Sequence, residues 1–109
     1  MAEMFRSQLA ADGFEVRVAG DGQVALGLVG QQLPDLVLLD MQMPRLDGIS
    51  TLKRLRAEVG TEGLPVVVLS NTPASTRMEE AYALGIRAWL VKSSTSPAQL
   101  SGIVRAMLS

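Results

Sequence analysis

Residues 34–40 read Pro34-Asp35-Leu36-Val37-Leu38-Leu39-Asp40, and this short stretch decides the fold. Four consecutive apolar residues after a proline fit a strand buried on both faces, and the run ends abruptly on a carboxylate. The pattern returns twice. Val66-Val67-Val68-Leu69 ends at Ser70, and Ala88-Trp89-Leu90-Val91 ends at Lys92. A fourth strand is expected over Glu15 to Ala19, where Val16 and Val18 alternate with polar residues as in a half-buried strand.

Helical spacing fills the intervals. Met4, Phe5 and Leu9 share a face in a first helix that Gly13 should stop. Asp21 is placed to cap a helix carrying Val24, Ala25, Leu28 and Val29. Ile49, Leu52, Leu55 and Val59 mark a third helix, punctuated by Gly60 and Gly63. Thr76 with Glu79 resembles a capping box for a fourth, ending near Gly85. Ser96 and Pro97 form a cap and first-turn pair ahead of Leu100, Ile103, Val104, Met107 and Leu108, an i, i+3, i+4, i+7, i+8 stripe. Buried strands alternating with helices predict a doubly wound α/β domain with a parallel sheet covered on both faces, spanning residues 1–109.

Composition narrows the chemistry. The chain has 109 residues, 48% of them hydrophobic and 19% charged, with net charge −1. This profile is that of a folded domain rather than a disordered segment. Cysteine is absent, which excludes disulfides, zinc-thiolate sites and thiol nucleophiles; histidine is absent too, which excludes Ser-His catalysis, imidazole–metal sites and phosphohistidine. Near-neutral charge and four aromatic residues give no footprint for nucleic acid. Lys53, Arg54 and Arg56, with Arg45 nearby, read as a solvated helix face. No apolar run approaches the roughly 18 residues of a membrane span, and the first residues lack the pattern of a signal peptide, so a cytoplasmic location is expected.

In a parallel sheet the carboxyl ends of the strands share one edge, where ligands bind. Asp40, Ser70 and Lys92 therefore converge, although distant in sequence; Lys92 is one of two lysines in the chain. A carboxylate can attack a phosphoryl group to give an acyl phosphate. The charge on the transferred group then calls for a cation such as Lys92, a hydroxyl donor such as Ser70, loop amides and usually Mg²⁺. Singly, each residue has an ordinary reading as a cap, a turn residue or a surface charge. Jointly they point to phosphoryl chemistry. Met41 and Met43 read as loop packing, since thioethers do not suit Mg²⁺. Asn71-Thr72-Pro73 is a turn signal.

These residues carry a resemblance. Asp35-Leu-Val-Leu-Leu-Asp40-Met-Gln-Met-Pro44-Arg-Leu-Asp47-Gly48 resembles the phosphoacceptor segment of bacterial response-regulator receiver domains. Leu64 to Asn71 resembles their fourth strand with its Ser/Thr switch, and Ala83 to Lys92 the approach to their lysine. The resemblance implies a flavodoxin-like fold with strand order 2-1-3-4-5. It also implies a signalling phosphoacceptor rather than an enzyme, with at most slow autodephosphorylation. Asp40 would be phosphorylated by a histidine kinase or phosphotransfer protein. Ser70 would bond the phosphoryl group and switch, Lys92 would neutralise it, and Trp89 would occupy the aromatic switch position. Asp40 and the backbone carbonyl of Gln42 would be Mg²⁺ ligands. The output surface would be the face of the fourth helix, fifth strand and fifth helix.

There are departures. The family opens with a central strand ending in an acidic pair that holds Mg²⁺, and here Met1 already falls in the first helix. An omitted N-terminal segment is the expectation; the alternatives are that the remaining strands close up, or that another chain supplies one. Ser93 stands where the family has a proline after a cis peptide, so either the bond is trans and the loop shifts or the site absorbs strain. A phosphate-independent interaction module is the second reading. A dehalogenase-type phosphatase is a third, disfavoured because Gln42 stands where that chemistry needs a second acid. With no DNA-binding helix pair after Leu108, a stand-alone or excised receiver is expected.

Overall fold

A computed structural model describes residues 3–17, 21–41, 48–71 and 76–108. Gln42, Met43, Arg45, Asp47, Thr72, Pro73 and the Thr76 side chain, all named above, lie outside the described residues, as do Val18 and Ala19.

The elements follow the order α1 (Glu3–Ala11), α2 (Gly22–Gln31), β1 (Val37–Asp40), α3 (Gly48–Ala57), β2 (Val66–Ser70), α4 (Thr76–Ala83), β3 (Ala88–Val91) and α5 (Pro97–Leu108), with a short 3₁₀ turn over Lys92–Ser94. Their ends are set locally. Asp21 accepts a hydrogen bond from the Val24 amide at 3.0 Å, capping α2. Ser96 and Gln99 bond each other's amides reciprocally at 3.1 and 2.8 Å, a complete capping box on α5. α1 and α4 end alike. Gly13 and Gly85 take positive φ (94° and 82°), and the following amides, of Phe14 and Ile86, reach back to the carbonyls of Leu9 and Ala81.

The three strands form a parallel sheet in the order β1-β2-β3. Every residue of β2 is buried. α1 and α5 cover one face, where Phe5, Leu9, Leu69, Leu100 and Val104 cluster. α3 and α4 cover the other with Leu39, Ile49, Leu52, Val66, Val68, Ala81 and Trp89, and α2 adds Leu26 and Val29. Burying both faces is why β2 reads as an unbroken apolar run.

Four expectations are corrected. Glu15–Arg17 keeps its alternating exposure, but it joins no ladder among the described residues. β1 is only partly buried, with Leu39 its one fully covered residue. The two corrections share a cause. Phe14 and Val16 pack on the same cluster as Leu36 and Leu38, yet an open slot of about 320 Å³ separates the Phe14–Arg17 segment from β1. The strands have not closed up. Met4 and Val24 point outward (67% and 41% exposed), and α3 stops at Ala57, before Val59, which is 93% exposed. Arg56, finally, is not a solvated charge. Its guanidinium donates to the carbonyls of Leu84 (2.6 Å), Leu64 (2.8 Å), Glu62 (3.0 Å), Thr61 (3.3 Å) and Gly85 (3.4 Å), tying the end of α3 to the turns before β2 and β3. Burial pushes its pKa down, with the Arg87 charge adding to the effect.

Candidate functional site

Register brings the predicted residues together. Asp40 lies opposite Leu69, and Ser70 lies opposite Val91, so the carboxyl ends of β1, β2 and β3 form one ledge. Lys92 follows β3 directly. Its Nζ donates to Asp40 Oδ2 at 2.6 Å, a charge-assisted bond across 52 residues of sequence. The pair is largely withdrawn from water, with side chains 13% (Asp40) and 23% (Lys92) exposed. Ser70 is buried at the end of the central strand. No peptide bond among the described residues is cis, so Lys92–Ser93 is trans; the 3₁₀ turn begins at Lys92 and still delivers its ammonium to Asp40.

Trp89 stands opposite Val68 and is buried in the cluster of Leu39, Met41 and Ile49 on the far side of the sheet from α5. Met41 is likewise buried, in keeping with loop packing. The start of α3 presses against the same ledge. A Cβ on Gly48 would lie 2.8 Å from Met41 Cα and 2.9 Å from the Asp40 carbonyl oxygen. Sequence reasoning missed this close approach, although a glycine opening a helix beside a site strand was its only available signal. Arg56 was missed for a plainer reason, since nothing in its neighbours foretells five carbonyl acceptors.

A hard divalent cation takes six or more oxygen ligands, several of them usually carboxylates. Among the described residues no three His, Cys, Asp or Glu side chains gather to hold a metal, and the ledge offers the Asp40 carboxylate, already bonded to Lys92. The described donor set does not fit a Mg²⁺ site.

A doubly wound parallel domain with a carboxylate, a hydroxyl and an ammonium on its carboxyl ledge has the architecture of a receiver domain. The chain belongs to the response regulator receiver domain family, whose profile matches residues 1–105. It is 33% identical over 108 residues to the phosphate regulon transcriptional regulatory protein PhoB of Rhizobium meliloti, covering 99% of this chain and 47% of that protein. It is 35% identical over 108 residues to the DNA-binding response regulator MtrA of Mycobacterium tuberculosis, covering 99% and 46%. The chain thus spans just under half the length of these relatives. Among solved structures it is similar to a putative response regulator from Chloroflexus aurantiacus (TM-score 0.87, 30% identity, 97% of this chain and 86% of that one). It is also similar to the Vibrio cholerae chemotaxis protein CheY4 (TM-score 0.87, 27% identity, 97% and 88%). No described helix is long and apolar enough to cross a membrane.

Proposed function

We propose that the domain accepts a phosphoryl group on Asp40 from the phosphohistidine of a kinase or phosphotransfer protein in a two-component system. A carboxylate oxygen of Asp40 forms the new P–O bond as the donor's P–N bond breaks. The observation that carries this reading is the 2.6 Å contact between Lys92 and Asp40 on a ledge shared with Ser70. That cation already stands where negative charge accumulates when phosphate arrives, so little reorganisation is needed. The incoming group would draw Lys92 from the carboxylate to a phosphoryl oxygen and take a hydrogen bond from the Ser70 hydroxyl. Trp89, on the strand beside Ser70, would follow that movement, and the face of α4, β3 and α5 would present the change to an output partner.

The donor set favours a second reading. Among the described residues no three metal-ligating side chains gather on the ledge, and a module that works by partner binding alone needs no divalent cation. Intact mass separates the two. After incubation with Mg²⁺ and acetyl phosphate, a gain of one phosphoryl group that Asp40→Asn abolishes supports the phosphoacceptor. No gain means that these 109 residues are a fragment or a phosphate-independent module, and adding an N-terminal strand that ends in two acids separates those two.

A further inference from the structure

Arg56 and Arg87 share a hollow at the end of the sheet away from Asp40. Leu64 lies just before β2 and Arg87 just before β3, and the Arg87 amide donates to the Val66 carbonyl at 2.8 Å, so the hollow sits at the amino ends of these strands. The length of β2 alone puts about 13 Å between it and the ledge, at about 3.3 Å per residue. Its volume is about 460 Å³, and Arg56, Glu62, Leu64, Leu84, Gly85 and Arg87 are on its lining. Neither reading of the ledge uses it.

The Arg56 guanidinium is only partly spent on the clasp. Such a group carries five N–H donors. Nε and Nη1 are engaged at 2.6–3.0 Å by the carbonyls of Leu84, Leu64 and Glu62. Nη2 has the Gly85 carbonyl alone, at 3.4 Å, so one of its two hydrogens has no acceptor among the described residues. Gly85 leaves that edge uncrowded, whereas a Cβ there would already stand 4.0 Å from Nη2. Arg87 is exposed, and its guanidinium makes neither a hydrogen bond nor an ion pair among the described residues. The two cations are near enough for Arg87 to add to the lowering of the Arg56 pKa. Glu62, the one acid on the lining, is exposed and pairs with neither.

Two like charges beside one hollow, with donors to spare, suit an anion. Two planar forks match the several oxygens of a phosphate, while the two oxygens of a carboxylate are satisfied by one fork. We propose that this hollow is an anion site, which takes a phosphate group between the Nη2 edge of Arg56 and the guanidinium of Arg87. The group is either free phosphate or the head of a small ester, whose organic part would rest on Leu64 and Leu84. The site stands independently of phosphorylation at Asp40. Filled, it would add a second tie between α3 and the turn into β3, which the Arg56 clasp already joins.

The test titrates the isotope-labelled 109-residue chain with inorganic phosphate and, separately, with phenyl phosphate, followed residue by residue by NMR. Sodium chloride holds the ionic strength constant, so that general screening does not change. The amides of Gly63, Gly85 and Arg87 should shift along a saturating curve with a dissociation constant of about 1–10 mM. Arg87→Gln breaks no described side-chain bond, so it should fold as the parent does and bind about fivefold or more weakly. Asp40→Asn should bind as the parent does, which separates this site from the ledge. Tighter binding of phenyl phosphate makes an ester the occupant, and equal or weaker binding makes it the free ion; either supports the site. Four results would overturn it: shifts at these amides that never saturate, an equal affinity in Arg87→Gln, an equal affinity for succinate, or loss of the response in Asp40→Asn.

Discussion

The same substitution should have opposite signs at Gly48 and Gly102. At Gly48 a new Cβ would meet two backbone atoms, at 2.8 and 2.9 Å, and the Met41 Cε at 2.5 Å. The methionine tip can swing aside, whereas the backbone of Met41 and Asp40 cannot. Ordinary carbon contacts begin near 3.5 Å, so α3 or the end of β1 must retreat by about 0.7 Å. Such overpacking costs about 1–3 kcal/mol. Alanine's helical preference over glycine offsets up to about 1 kcal/mol, and less at a first helical residue. The net expectation for Gly48→Ala is a loss of about 1–2 kcal/mol, which lowers the melting temperature by about 5–15 °C in a domain of this size. Gly102 sits mid-helix in α5, exposed, with nothing within 4 Å of its added Cβ. Gly102→Ala should stabilise by about 0.5–1 kcal/mol. Neither glycine has a positive φ, so sterics alone separate them. Thermal and urea melts of both variants provide the assay. Gly48→Ala melting at or above the parent, or Gly102→Ala losing as much as Gly48→Ala, would refute the packing of α3 against the site.

Lys92→Met leaves the Asp40 carboxylate 13% exposed without its cation and should cost about 1–3 kcal/mol, between the surface and buried limits for broken pairs. Urea titration of the cycle with Asp40→Asn should recover part of this loss, and strictly additive losses would mean the two side chains are not coupled. Arg56→Met should cost about 2–4 kcal/mol, because it leaves half-buried carbonyls at Leu64 and Leu84 without a charged donor; a melt within error of the parent would rule out the clasp. Asp12 has a lowered pKa, chiefly because the Ser101 hydroxyl donates to its carboxylate, with Gln8 adding a second bond at 3.0 Å. A carboxylate with a depressed folded pKa stabilises above its unfolded value and loses that contribution as pH falls through the folded one. The stability gap between the parent and Asp12→Asn should thus be present at neutral pH and close as pH falls below the ordinary aspartate value of 3.8 and through the lowered folded one. A gap independent of pH would contradict the bond.

What could be read from the sequence was whatever depends on near neighbours. The run 36–40 foretold a strand ending in a carboxylate, and Asp21 and Ser96 foretold helix starts, because capping is decided within about three residues. The ledge was legible for a different reason. A parallel sheet forces its strand ends together, so Asp40, Ser70 and Lys92 could be grouped without knowing a single distance. Glu15–Arg17 shows the limit. Its alternation is real and its side chains obey it, but a strand also needs a neighbour, and periodicity cannot report whether one is there. Val59 continued the stripe of α3 in sequence but not in space, because the helix ends at Ala57 and the following turn is held by Arg56 and by the Thr61 hydroxyl on the Leu55 carbonyl. The clasp by Arg56 depends on turns as far as 29 residues away, which no local pattern encodes.

The register of β2 has a consequence for how the chain reaches its working state. Asp40 and Ser70 end β1 and β2 and Lys92 follows β3 directly, and side-chain direction in a strand alternates with every residue. A slip of one position between β1 and β2 would turn Asp40 to the opposite face while leaving secondary structure content and much of the apolar burial nearly intact. Such a species would be compact and helical, and by circular dichroism almost indistinguishable from the native form, but Asp40 would be out of reach of Lys92. The ion pair on the ledge therefore acts as a proofreader of alignment. It forms only when all three strands are paired in step, so during refolding its appearance should trail the gain of helix signal and mark the moment when the sheet has settled.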